Sequence, residues 1–288
     1  MNWQLLLVAY LILGTATFLW RRQLAKAFAH HNRLVNAFFF VAVLYPIGLV
    51  VSLFTSPDLA IGWTSLLLLL LGGSIFPLSN LLAYRANRDI DAGLFTIISN
   101  ITPVVSIAAA SIFLHETLTS KQLIGAAIIL LAAIVVTVPQ LKHHMIHNRV
   151  AMVFALTAVV IIGLGFVFER YMLTRMDFGA YLVFGWGAQM LWSVGLAWRE
   201  RHSLQSMLRD VQLRVPLLGY SLSATLRGLC FVGAMALSGN ASVVAAWISF
   251  LTVMVVLAAY FILKESELLW LKLGGASMGV VGLIMLNI

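Results

Sequence analysis

Apolar stretches long enough to cross a bilayer fill this 288-residue chain, at about 3–20, 34–54, 62–83, 92–114, 121–139, 150–168, 178–198, 215–237, 241–263 and 268–287. A hydrocarbon core about 30 Å thick requires about 20 such residues per helix. Only 10% of the chain is charged and 62% is hydrophobic, whereas a soluble domain wets its surface with about 25% charged residues. The expected fold class is therefore an all-α membrane protein with ten transmembrane helices. The loops between them are too short to hold a soluble domain. Function must then reside in the bundle interior or at its two faces.

Charge placement orients the bundle. Of the 18 Lys and Arg residues, 14 follow segments 1, 3, 5, 7 and 9, three (Lys121, Arg170 and Arg175) lie on the opposite face, and Arg227 sits inside segment 8. Cytoplasmic loops carry the Lys/Arg excess. The odd-numbered loops thus read as cytoplasmic and both termini as outside, in a multi-pass protein of the inner (plasma) membrane. Arg21 and Arg22 follow the first apolar run, whereas a signal peptide carries its charge before the run. The net charge of +8 is spread over loops with no nucleic-acid-binding module, so membrane lipid, and not nucleic acid, is the expected partner of these cations. Cys230, the single cysteine, has no second thiol to pair with and reads as a small hydrophobe within its span. A monomer is the expected form, with an oligomer left open.

Sliding the chain against itself by 149 residues brings Gly14 onto Gly163, Arg21 onto Arg170, Glu116 onto Glu265 and Gly125 onto Gly274 without a gap. Self-similarity in a single register is the signature of an internal repeat. The halves it defines are residues 1–140 and 149–288, with five spans each. An odd number of crossings makes the second half enter the membrane from the opposite side. The two are then inverted copies, an arrangement that places a binding site at their interface near the bilayer midplane in secondary transporters.

Tyr84-Arg85-Ala86-Asn87, the Thr102-Pro103-Val104 step, Leu114-His115-Glu116-Thr117-Leu118-Thr119 and Gly125 form a recognisable series. It resembles the EamA-type repeat of the drug/metabolite transporter superfamily, in which a helix with a Pro-Val step ends in Gly-Glu-Arg-Leu-Thr and a Gly-containing fifth helix follows. The second copy is looser, with Thr252 at the proline position and Lys264-Glu265-Ser266 at the helix end. The resemblance implies a substrate cavity between the halves, lined by helices 1, 3, 4, 6, 8 and 9, with helices 5 and 10 peripheral. It also implies cytoplasmic termini, against which the charge count stands.

Arg227 lies 13 residues past Arg214, hence about 20 Å along a helix, near the bilayer centre. A guanidinium there costs about 2.5–3.5 kcal/mol on insertion scales, so it requires a partner or a wet cavity. It reads either as one member of a structural ion pair or as a substrate-facing charge, with Ser223 and Cys230 on its face. Glu169, at the end of segment 6, is the acid nearest a span interior. It is the candidate for proton coupling, or else an interfacial carboxylate paired with Arg170 or Arg175. Glu116 and Glu265 read as helix-end braces. The candidate substrate-binding residues are Arg227, Asn100, Asn80, Trp247, Ser99, Thr102 and Ser249. The hydroxyls among them equally suit hydrogen-bonded seams between helices. Gly72-Gly73 and Pro77 mark a bend in segment 3. His143, His144 and His147 read as a solvated loop beside Lys142 and Arg149, so no metal and no cofactor are expected.

The resulting expectation is a secondary transporter for a small-molecule substrate, working by alternating access. With the deep charge positive, an amino acid or organic anion is favoured. The multidrug relatives keep a glutamate in mid-helix 1, where this chain offers Tyr10, Gly14 and Thr17. The alternatives are a membrane-embedded enzyme, for which no converging nucleophile, base or metal cluster is visible, and a channel-like or scaffold protein without saturable transport.

Overall fold

A computed structural model describes residues 2–27, 32–89, 95, 98–99, 101–144, 149–203, 211–263 and 269–287. Every regular element assigned among these residues is helical. In chain order they are α1 (Trp3–Ala27), α2 (Asn32–Leu53), α3 (Trp63–Asp89), α4 (Ile101–Phe113), α5 (Ser120–His144) and α6 (Arg149–Leu173). There follow α7, running from Phe178–Ala180 through a π turn at Tyr181–Gly185 into Trp186–Ala197, then α8 (Val211–Ser238), α9 (Ala241–Leu263) and α10 (Leu269–Asn287). Among the described residues, four helices are long and apolar enough on their own to cross a membrane: α2, α3, α6 and, over Arg214–Ser238, α8. Leu53, Phe54, Trp63, Leu71, Ile112 and Phe113 are exposed on the outside, an apolar surface that suits lipid rather than water. The chain is an all-α, multi-pass membrane protein.

Two helix ends depart from the hydropathy reading. Helix α1 continues past residue 20 to Ala27, which takes Arg21 out of the loop. Helix α5 runs on to His144, so the backbone of His143 and His144 is helical where a loop was expected. His147 lies outside the described residues. The expected bend in segment 3 is present, because α3 breaks between Gly72 and Ile75. The break frees the carbonyl of Leu70, to which the Trp192 indole donates a 2.6 Å hydrogen bond. The amide of Asn36 donates to the Pro77 carbonyl at 3.2 Å. Side chains from neighbouring helices thus meet backbone carbonyls on both sides of the bend.

The main helix pairs are α1 on α8, α3 on α6, α4 on α6, α1 on α9, α4 on α9, α5 on α10 and α2 on α7, with α9 also packed on α5 and α10. Small residues set the closest of these. Ala83 and Ala86 of α3 meet Ala151, Ala155 and Ala158 of α6, all fully buried, which lets the two backbones approach. At Gly282 of α10 an added Cβ would lie 2.6 Å from Ile129 Cγ1 and 2.8 Å from the Gly125 carbonyl of α5. Gly275 and Gly279 are buried in the same helix. This small-residue stripe makes the α5–α10 pair a packing unit.

One brace ties three helices together. After α4, His115 turns the chain at a left-handed φ of 53°, and the Glu116 N–H reaches back to Ala110 O at 3.4 Å. The Glu116 carboxylate then accepts hydrogen bonds from the first backbone N–H groups of α9, Ala241 at 2.7 Å and Ser242 at 3.1 Å. Arg170, at the end of α6, pairs with Glu116 at 3.7 Å and donates to Gly239 O at 2.7 Å. Glu116 is therefore a helix cap, as its position suggested, while Glu265 lies outside the described residues. His115 occupies a conformation that costs a non-glycine residue about 1–2 kcal/mol. Its side chain is exposed, so His115→Gly should stabilise the protein by about 1 kcal/mol. Glu116→Ala should destabilise it by about 1–3 kcal/mol, because two N–H donors and Arg170 lose their acceptor. Thermal unfolding of the purified variants checks both signs.

Candidate functional site

A cavity of about 160 Å³, counted as room for the centre of a water molecule, lies inside the bundle. Side chains from α1, α2, α3, α4, α6, α7, α8 and α9 line it, together with Phe95 and Ser99 ahead of α4. Among the described residues α5 and α10 contribute nothing to it, which matches their role as an outer packing pair. Most of the wall is aromatic: Tyr10, Phe18, Phe39, Phe40, Phe76, Phe166, Trp186, Tyr220 and Phe231. The π turn at Phe39–Leu44 presents Phe39, Phe40 and Leu44 to the cavity. Gly48 leaves room for Trp186, whose Cε3 lies 2.5 Å from where a Cβ would stand.

Three charged side chains are set along this wall. Midway, Arg227 of α8 lies with its guanidinium carbon 5.5 Å from the centroid of the Tyr10 ring. Among the described residues it makes neither a hydrogen bond nor an ion pair. Gly14 makes room for its stem, since an added Cβ there would be 3.4 Å from Arg227 Cδ and 2.8 Å from Leu251 Cδ1. Toward the C-terminal end of α1, Arg21 is 6% exposed. Its Nη2 donates to Asn80 Oδ1 at 3.1 Å and to the Tyr220 hydroxyl at 3.2 Å. The rings of Phe18, Tyr84 and Tyr220 surround it at 5.6–6.0 Å. At the other end, Glu169 of α6 is 3% exposed and accepts a 2.8 Å hydrogen bond from the Tyr181 hydroxyl. Tyr10 stands within electrostatic reach of all three charges.

The expected site residues divide by placement. Arg227, Asn80, Ser99, Thr102 and Glu169 all line the cavity. Glu169 is drawn inward by Tyr181 rather than toward the helix-end arginines, and it is Arg170 that joins the brace at Glu116. The hydroxyl of Thr102 is taken by Val159 O of α6 at 3.2 Å, and Ser106 bonds to Gly163 O at 3.0 Å. These two hydroxyls form a seam between α4 and α6. Trp247 does not line the cavity: it is buried edge-on against Trp3, with centroids 6.1 Å apart. Asn100 and the side chain of Ser249 lie outside the described residues. The wall around Arg227 is Tyr220, Ala224, Gly228 and Phe231, not Ser223 and Cys230. Ser223 instead bonds to Thr17 at 3.2 Å, between α8 and α1.

Sequence reasoning missed Arg21, Tyr220, Gln189 and the Tyr181 partner of Glu169. A signal for Arg21 exists in the spacing 10, 14, 17, 21, 24, the face of one helix. All five of these residues are buried.

The comparisons agree with this architecture. A crystal structure of a protein 14% identical in sequence superposes with a TM-score of 0.68, over 97% of this chain and 98% of its own. At that identity the likeness concerns the fold. Among curated proteins none matches the sequence. The family model of the EamA-like transporters matches residues 3–138, the half that carries the Thr102-Pro103-Val104 step and the Glu116 helix end. Over residues 3–138 the chain is therefore similar to the EamA-like transporter family.

Proposed function

We propose that the protein is a secondary transporter that moves a small carboxylate-bearing metabolite, an amino acid or organic anion, by alternating access between two inverted five-helix halves, residues 1–140 and 149–288. The observation that carries the reading is Arg227: a guanidinium inside a membrane bundle, facing a cavity and lacking an ionic partner among the described residues. A strut arginine would have its fork occupied. An uncompensated one at this depth is retained at a cost of several kcal/mol, which an anionic solute offsets when it binds.

The helix pairs support the two-fold plan. Under the exchange of each helix with the one five places on, α1 on α8 becomes α6 on α3, and α4 on α6 becomes α9 on α1. The pairs α2 on α7, α4 on α9 and α5 on α10 map onto themselves, and all of these contacts are made. A π turn also occurs in the second helix of each half. The brace of Glu116, Arg170 and the start of α9 closes the face reached by the even-numbered loops, so the halves would separate there when the cavity opens to that side. Glu169, held by Tyr181 at the same end, is the group placed to exchange a proton if transport is coupled. Orientation rests on charge. With Arg21 inside the bundle, the Lys/Arg balance is 13 to three, still in favour of cytoplasmic odd-numbered loops and outside termini.

Arg227→Met should fold, with a melting temperature close to that of the parent, and should bind carboxylates at least about tenfold more weakly, roughly the 1.4 kcal/mol of one lost charge-assisted contact. Arg227→Lys should fall between the two, since it keeps the charge and loses the planar fork. Collapse of the Met variant with full affinity in the Lys variant would instead mark a structural charge. For orientation, a single cysteine at position 2 in a Cys230→Ser background should react with an impermeant thiol reagent on intact cells, and one at position 146 should not. The reverse pattern would turn the protein over in the membrane.

A further inference from the structure

The cavity holds a second guanidinium that the reading above does not use. Arg21 is as deeply buried as many core residues, yet its hydrogen-bond partners among the described residues are neutral, the amide oxygen of Asn80 and the hydroxyl of Tyr220. Both bonds come from one nitrogen, Nη2, while Nε is fully buried with no partner among the described residues. Three aromatic rings cage the group and fix its position. Aromatic faces and neutral acceptors soften the desolvation of a guanidinium without neutralising it. An interior built this way holds a cation ready for an anion.

The spacing between the two arginines can be read along α8, to which Arg21 is tied by a hydrogen bond. Arg21 is hydrogen-bonded to Tyr220 of α8, and Arg227 is seven residues further along that helix, which is about 10 Å at 1.5 Å per residue. The wall between them is apolar and aromatic, formed by Tyr10, Tyr220, Ala224 and Phe39. We propose that Arg21 is a second anion-binding residue of this cavity, and that with Arg227 it holds the two acidic groups of an elongated organic dianion whose middle lies against the aromatic wall. The inference rests on the transport reading for the cavity as a binding site, and it narrows the substrate class from any carboxylate to one with two anionic ends. The two ends of a dianion can each meet one guanidinium, whereas a single carboxylate can pair closely with only one of them.

The test uses purified full-length protein and two probes of equal length: suberate, with carboxylates joined by six methylenes, and its monoamide, which carries one charge. Calorimetric titration should give suberate an affinity at least about tenfold higher than the monoamide, because the second contact is intramolecular once the first is made. In Arg21→Gln that ratio should fall to near one, with monoamide affinity unchanged. Arg21→Lys should keep part of the ratio. Equal affinities for the two probes in the parent protein would overturn the inference, whether or not the Arg21 variants fold. So would a preserved ratio in Arg21→Gln accompanied by a lower melting temperature, which is the behaviour of a strut. Either result leaves the transport reading standing provided Arg227→Met still weakens both probes. Undiminished binding of both in Arg227→Met would instead remove the reading on which the inference depends.

Discussion

A guanidinium resting on the face of a tyrosine ring in mid-bundle is the contact on which the rest of this structure turns. Arg227 and Tyr10 belong to α8 and α1, helices packed closely along their length. The seam between them must leave a charged group near the bilayer centre room to turn inward. Gly14 provides that room. The hydrogen bond from Thr17 to Ser223 closes the seam behind it. The protein holds the charge without an ionic partner among its described residues and turns it toward the cavity. A fold that only needed to span the membrane would be better served by an apolar side chain here.

The cavity exists because several helices depart from regularity around it. Two π turns displace the inner faces of α2 and α7, and the Gly72-Gly73 break redirects α3. Each departure exposes backbone groups that lipid would not satisfy. In α3 the Trp192 indole and the Asn36 amide bond to carbonyls on either side of the break, so the bend is anchored to α7 and α2. The small-residue seams of α3 on α6 and α5 on α10 are regular by comparison and carry no cavity wall beyond Phe76, Asn80 and the inner face of α6. Rigid packing outside and irregular backbone inside is the division expected of a protein whose halves rock about a central site.

Much of this was legible in one dimension. Span positions, the deep arginine, the bend at Gly72-Gly73 and the capping role of Glu116 follow from hydropathy, charge cost and helix-end chemistry, which depend on near neighbours in sequence. Arg21 was not legible that way. Hydropathy ends the first span at residue 20, and the partners that keep Arg21 buried, Asn80, Tyr84 and Tyr220, come from 59 to 199 residues away. The same limit applies to Trp247, whose depth in its span suggested a pocket, although its ring meets Trp3 from another helix. Hydroxyl stripes carry both meanings in sequence, and the structure separates them. Thr102 and Ser106 give their protons to backbone carbonyls of α6, whereas Asn80 turns its oxygen to a cavity arginine.

The central claim is that this cavity is a transport site selective for a carboxylate, and counterflow in proteoliposomes tests it most directly. Vesicles holding the purified protein would be loaded with one unlabelled compound and challenged with its labelled form, using matched sets that share a skeleton and end in a carboxylate, a primary amide or an amine. The account predicts saturable, protein-dependent exchange of carboxylates and little exchange of the amides and amines. Exchange that favours the amines, or that treats all three alike, would contradict it.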